Sequence, residues 1–229
     1  MRVKEDRGYS IRAFIQRCMA KFDVIFIRCH LGKVPAQLNY IQQFRRQRPL
    51  IINDAEALQL IEIVESVTTK VPGEIAEVGV GFGASASLIG RSAPGKTVHL
   101  FDTFSGLPKP GNSDSRFFRP GMYECGLDEV KAFLNSDQFI FHKGLFPADT
   151  GHEVADLRFS FVHLDVDLYS STLDALRFFY PRMQTGGMIL SHDYHSAQGV
   201  TAAFDEFFSG HPEVVLALIG GDQALVVKQ

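Results

Sequence analysis

The stretch Glu74-Ile-Ala-Glu-Val-Gly-Val-Gly-Phe-Gly-Ala84 decides the fold of this chain. It follows Pro72-Gly73 and joins a β-rich apolar run to Gly79, Gly81 and Gly83, after which helical spacing begins. A strand, a glycine turn and a helix in that order let the backbone turn sharply and approach a ligand closely. Working outward, strand patterns recur at 97–101, 139–142, 159–164 and 187–190. Helical patterns at 84–91, 127–135, 171–182 and 197–208 separate several of them. Such alternation predicts an α/β fold with a parallel sheet covered by helices on both faces. The chain then changes character: 214–219 and 224–227 are short β-rich runs joined by Gly220-Gly221-Asp222-Gln223, a hairpin signal.

Upstream, Asn53 with Glu56 three residues on predicts a capping box opening a helix through Leu58, Ile61, Val64 and Val67. Residues 31–50 carry scattered polar and basic groups and read as a connector. From Ile11 to Cys29 the apolar residues fall at helical spacing, with Arg12, Arg17, Lys21 and Arg28 mostly off the stripe. Two regions follow: an N-terminal helical arm and connector over 1–50, and one α/β domain over 51–229. The apolar stripe from Phe14 to Phe26 points to a homo-oligomer.

The chain has 229 residues, 45% hydrophobic and 21% charged, the composition of a soluble globular protein. A formal charge of -3 lacks the basic excess that binding a phosphate backbone demands, which argues against nucleic acid as partner. Charges interrupt every long apolar stretch near the N-terminus, so neither a signal peptide nor a membrane span is expected. Cys18, Cys29 and Cys125 show no C-x-x-C spacing, which fits a reducing cytoplasm better than a disulfide framework or a zinc ribbon.

Two acids, Asp165 and Asp167, stand two residues apart at the end of the 159–164 strand, and the next strand ends His192-Asp193-Tyr194. Residues two apart on a strand point the same way, and open α/β sheets bind ligands at their carboxyl edge. If the two strands are neighbours, Asp165, Asp167, His192 and Asp193 gather into one cluster able to hold a divalent cation or take a proton. Asp102 closes the second strand, where an acid can accept hydrogen bonds from both hydroxyls of a ribose.

Glycines alone do not separate an S-adenosylmethionine site from an NAD site, because Gly79, Gly81 and Ala84 also satisfy the looser dinucleotide fingerprint. Glu77 tips the balance. A pyrophosphate is held at a helix N-terminus, whereas the methyl donor presents an ammonium that an acid near the loop can meet. The segment 103–126 is rich in Pro, Gly and Ser and contains Arg116, Phe117, Phe118, Arg119 and Tyr123. A loop of that length is expected to act as a mobile lid that shapes an acceptor pocket.

Six strings together resemble the macrocin O-methyltransferases, metal-assisted class I enzymes that methylate sugar hydroxyls on natural products. They are Gly73-Glu-Ile-Ala-Glu-Val-Gly-Val80, Phe101-Asp-Thr-Phe-Ser-Gly-Leu-Pro108, Lys143-Gly-Leu-Phe-Pro147, Leu164-Asp-Val-Asp-Leu-Tyr-Ser-Ser-Thr172, Tyr180-Pro181, and Gly186-Gly187 through Asp193-Tyr194. The resemblance covers about residues 50–229. It implies a Rossmann-like class I methyltransferase sheet, mostly parallel and closed by a C-terminal antiparallel hairpin. The loop and the second strand end give the expected donor site, Glu77, Gly79, Gly81, Gly83 and Asp102, with Asp165 beside them; the resemblance implies a divalent cation, magnesium by analogy, at Asp165, His192 and Asp193, and Asp167 as general base. His192 stands where the family usually has aspartate, and imidazole suits zinc, iron, cobalt or nickel better than magnesium.

The expected function is therefore transfer of a methyl group from S-adenosylmethionine to a hydroxyl of a sugar or polyhydroxylated small metabolite. Two rivals stand beside it. An NAD-dependent oxidoreductase follows from the looser glycine match, and a non-catalytic subunit that keeps the fold follows from His192.

Overall fold

All seven strands expected from the sequence form, and they join one sheet in the order β3-β2-β1-β4-β5-β7-β6. The computed structural model describes residues 34–229, of which Leu38–Gln229 make one compact unit. The helix expected over 11–29, with Cys18 and Cys29, lies outside the described residues. The strands are β1 (Glu74–Val78), β2 (Val98–Asp102), β3 (Phe139–Lys143), β4 (Phe159–Leu164), β5 (Met183–Ser191), β6 (Leu216–Ala217) and β7 (Ala224–Val227). Pairings among β1 to β5 are parallel, whereas β7 runs antiparallel to β5 and to β6. The edge strand β6 is shorter than expected. Val214 and Ile219, which flank it, are exposed and unpaired with the ladder.

The helices are α1 (Val34–Arg45), α2 (Asp54–Thr68), α3 (Ala84–Ser92), α4 (Leu127–Leu134), α5 (Tyr169–Phe179) and α6 (Gln198–Phe208). One core layer packs Ile41, Phe44, Leu60, Val64, Leu88, Ile89 and Val130 against Ile75, Leu100 and Phe161 of the sheet. The opposite layer packs Leu176, Phe179, Val200 and Phe204 against Val78, Phe101, Val162 and Ile189. Phe159 and Phe161 would share a face by simple alternation. They fall in opposite layers because the pairing with β1 and β5 slips at the start of β4, which sets the parity of everything up to Asp165. Phe101, Phe159 and Phe179 are all fully buried, each contributing about 1.5–3 kcal/mol of apolar burial.

The capping box forms as expected. Asn53 Oδ1 accepts from the amides of Ala55 (2.8 Å) and Glu56 (3.1 Å), and Glu56 Oε2 accepts from the Asn53 amide (2.6 Å). The connector reading of 31–50 needs correction, because residues 34–45 are helical and Ile41, Phe44 and Leu50 enter the core. Arg45 holds the turn that follows, with Nε on Asp54 Oδ1 (2.9 Å) and Nη1 on the Leu50 carbonyl (2.6 Å).

Candidate active site

The site forms where β1, β4 and β5 end side by side. Backbone bonds continue the ladder one step past each strand: Asp165 N donates to Val78 O (2.9 Å) and His192 N to Leu164 O (2.8 Å). Gly79 (φ 87°) lies so close to β4 that any Cβ on it would stand 1.7 Å from the Asp165 carbonyl oxygen. Only glycine tolerates both the left-handed backbone and that approach. The cleft so formed has a volume of about 1050 Å³ including its open mouth. Its wall brings together Gly79, Gly81, Asp102, Asp165, Asp167, His192 and Asp193, seven of the nine expected site residues.

The acids crowd one corner. His192 Nδ1 stands 3.0 Å from Asp193 Oδ1 and 3.5 Å from Asp165 Oδ1, and one donor atom from each residue lies within 4.8 Å of the others. Burial, then the charges of Asp165 and Asp193, pushes the Asp167 carboxyl up to about 8. Burial likewise pushes Asp165 up to about 6, with Asp193 adding to the rise and His192 opposing it. Burial alone would lower the His192 pKa, but Asp165, Asp193 and Glu56 raise it well above that of a free imidazole. Asp167 also carries backbone strain. Leu168 N donates to Val166 O (2.6 Å), closing a three-residue turn around Asp167 at φ 60°.

Two expected donor residues stand behind the cavity wall. Glu77 is completely buried, with Oε1 2.9 Å from His163 Nδ1, its register partner on β4. Strand alternation puts it on the face of Ile75, inside the core layer, where Oε1 has a partner and Oε2 is buried without one. Gly83 opens α3 in the left-handed conformation, and a Cβ there would touch Val130 Cγ1 at 3.0 Å, so its work is helix packing. Asp102 lines the cavity but is already engaged. Its Oδ2 accepts the amides of Val80 (2.8 Å) and Gly81 (3.0 Å), and Oδ1 that of Phe104 (2.6 Å). A carboxylate offers about four acceptor positions, so Asp102 has room for one ribose hydroxyl here and not for both.

The 103–126 segment closes one side of the cleft with Gly106, Leu107, Pro108, Met122 and Tyr123. It is pinned at its base, where Leu107 N donates to Met122 O and Gly121 N to Leu107 O, both 2.9 Å. Asp114 ties its far part to the first turn of α5, accepting from Tyr169 N (2.7 Å). Tyr123 faces the acids: burial, then the charges of Asp167, Asp193 and Asp165, raises its phenol pKa. Glu56 was legible only as a helix cap, yet its Oε2 stands 3.5 Å from His192 Nε2. No local pattern links residues so distant in sequence.

Sheet order and cleft together define a class I methyltransferase fold of the Rossmann-like kind. The model of the macrocin O-methyltransferase family matches residues 51–215, and the chain belongs to that family. A 4'-O-methyltransferase from Streptomyces olivaceus, acting on 8-demethyl-8-(2,3-dimethoxy-alpha-L-rhamnosyl)-tetracenomycin C, is 33% identical over 141 residues, 54% of each chain. Demethyldecarbamoylnovobiocin O-methyltransferase from Streptomyces niveus is 28% identical over 162 residues, covering 63% of this chain and 62% of the relative. The chain thus spans little more than half the length of the curated relatives it matches. Among solved structures, the O-methyltransferase NovP superposes with TM-score 0.66 at 24% identity over 76% of this chain and 79% of its own. The calicheamicin methyltransferase CalS11 gives 0.66 at 16% identity over 98% and 94%. No helix among the described residues is long and apolar enough to cross a membrane.

Proposed function

We propose that this protein transfers a methyl group from S-adenosylmethionine to a hydroxyl oxygen of a glycosylated or polyhydroxylated small molecule, with Asp167 as general base. The observation that carries the reading is that the glycine loop and the acid cluster wall one cleft. Family membership and the names of the relatives support the same reaction class. The reading also places the protein in the cytoplasm, in natural-product biosynthesis, and as a homo-oligomer.

A divalent cation fits the residues present. Three carboxylates, those of Asp165, Asp167 and Asp193, share a corner where burial and the charge of neighbouring acids push Asp165 and Asp167 above the usual carboxylate range. That surplus of negative potential is what a cation relieves. Asp165, His192 and Asp193 would hold it. A bound ion would supply Lewis-acid polarisation of the acceptor hydroxyl, lowering its pKa.

The chain's own residues do the rest. Gly79 and Gly81 let the backbone come close to the donor, and Asp102 accepts one ribose hydroxyl. Asp167 takes the hydroxyl proton as the oxygen bonds to the methyl carbon, while the pair of the breaking C–S bond returns to sulfur. Burial and the neighbouring acids raise its pKa above the usual carboxylate range, which makes it a stronger base, and a cation beside it would keep it ionised. The lid segment and Tyr123 exclude water and align the acceptor, which matters most when the methyl donor is already activated.

The test is turnover with glycosylated acceptors by wild type and Asp167→Asn. Asp167→Asn should lose transfer while binding S-adenosylhomocysteine within a few fold of wild type. Equal loss of transfer and donor binding would make Asp167 a structural residue.

A further inference from the structure

Glu56 lies outside the cleft and is buried at 4% exposure, yet it gathers three elements. Its Oε2 accepts the Asn53 amide at the start of α2. Its Oε1 accepts the Asp222 amide (2.6 Å) from the turn between β6 and β7. A Cβ on Gly221 would stand 2.2 Å from Glu56 Cγ, so that turn is closed down tightly on the carboxylate. Asp222 in turn holds the loop after β5, its Oδ1 accepting the amides of His195 (2.6 Å) and Ser196 (2.9 Å). Helix capping explains the Asn53 bond and nothing else in this set.

His192 explains the remainder. It is 8% exposed, and its Nε2 is buried without a formed hydrogen bond, 3.5 Å from Glu56 Oε2. A shift of about 0.5 Å would complete that bond. With Nε2–H given to Glu56, a cation that displaces the Nδ1 proton would meet a lone pair on Nδ1, the atom 3.0 Å from Asp193 and 3.5 Å from Asp165. A histidine that ligates a metal characteristically donates its other ring N–H to a carboxylate, which fixes tautomer and orientation and strengthens the donor.

We propose that Glu56 is the positioning residue of this site. It presents His192 Nδ1 beside Asp165 and Asp193 as one nitrogen and two oxygens, a donor set that selects a divalent transition ion over magnesium. The inference rests on the cation site proposed above and adds its selectivity and the residue that enforces it. Magnesium favours all-oxygen surroundings and sheds water reluctantly, whereas imidazole favours ions such as cobalt, zinc and iron.

The experiment titrates the full chain, saturated with S-adenosylhomocysteine, with Co²⁺ followed by visible absorption, then competes with Mg²⁺. Wild type should bind Co²⁺ at least about ten-fold more tightly than Mg²⁺. Glu56→Gln keeps one acceptor oxygen for the Asn53 amide but removes the carboxylate charge that strengthens the His192 bond and gives up the bond from the Asp222 amide. It should lower Co²⁺ affinity by about ten-fold to a hundred-fold, with Mg²⁺ affinity changed far less. Asp222→Ala, which loosens the same turn without touching that charge, should leave the Co²⁺ to Mg²⁺ ratio as in wild type. His192→Asp should reverse the preference. Equal binding of the two ions by wild type, or unchanged Co²⁺ affinity in Glu56→Gln, would overturn the proposal. Absence of any ion binding while S-adenosylhomocysteine still binds would overturn it too and leave the methyltransferase reading standing. Failure of a folded chain to bind S-adenosylhomocysteine would remove both.

Discussion

Asp167 and Asp193, just beyond the ends of the adjacent strands β4 and β5, both take a positive φ, 60° and 59°. Aspartate and asparagine tolerate that region better than other residues with a Cβ, and bulkier or β-branched side chains avoid it. Both acids are therefore held at the cleft by a backbone that costs stability.

A stability prediction follows for Asp167. Its native pKa, pushed up to about 8, lies above the unfolded value near 4, so the folded state binds the proton more tightly across that window. Its contribution to stability therefore falls as pH rises from about 4 to about 8. Asp167→Asn removes the charge and keeps the favoured conformation. It should raise Tm at pH 8 by about 2–4 °C and by less at pH 5, while Asp167→Ala should be about 1–2 kcal/mol less stable than Asp167→Asn. Thermal melts of the three proteins at both pH values check this; a wild type more stable than Asp167→Asn at pH 8 would contradict it.

Gly79→Ala should be among the most damaging small substitutions in the domain. The added methyl would meet the Asp165 carbonyl at 1.7 Å and sit at φ 87°, so the loop must leave β4. The expected cost is at least about 2 kcal/mol, with S-adenosylhomocysteine binding lost even where the chain stays folded. Gly81→Ala has open space for its methyl and should cost mainly the backbone term, about 1–2 kcal/mol. Denaturant melts of both variants separate clash from conformation.

Glu213 supplies an acid-sensitive anchor away from the cleft. Burial would raise its pKa, but hydrogen bonds from Tyr180 (2.7 Å), Lys228 (2.9 Å) and the Gln229 amide (3.2 Å) hold it down to about 2. Its stabilising effect is present above the unfolded pKa near 4 and is lost as pH falls towards 2. Glu213→Gln should cost about 1–3 kcal/mol at pH 7 and much less near pH 2, measured by denaturant unfolding. A cost independent of pH would mean that packing and not charge holds this corner.

Tyr123→Phe removes a hydroxyl that faces the acids from the lid segment. It should raise KM for the acceptor several-fold and leave S-adenosylhomocysteine affinity unchanged. An equal loss in both would place Tyr123 in the donor half of the cleft.

The sheet was legible because its signals are local. The apolar run of β4 ends at Leu164 as expected, and Asn53 with Glu56 caps α2 as its spacing predicts. Helix α1 escaped notice although Leu38, Ile41 and Phe44 repeat at helical spacing, because the polar and basic residues between them resemble a connector. The acid cluster could be foreseen from two strand ends once β4 and β5 are neighbours. The engagements that redirect individual side chains were not legible. Glu77 meets His163 across the β1–β4 register, Asp102 spends three acceptor positions on the glycine loop and its own turn, and Glu56 reaches His192. Apart from the local Asp102–Phe104 bond, each depends on which elements become neighbours, and no short stretch of sequence encodes that.

Calorimetric titration of the intact chain with S-adenosylhomocysteine and, separately, with NADH tests most directly whether the cleft at Gly79 and Gly81 is a methyl-donor site. S-adenosylhomocysteine should bind with a micromolar dissociation constant and NADH should give no measurable heat. Micromolar binding of NADH with none of S-adenosylhomocysteine would contradict the assignment.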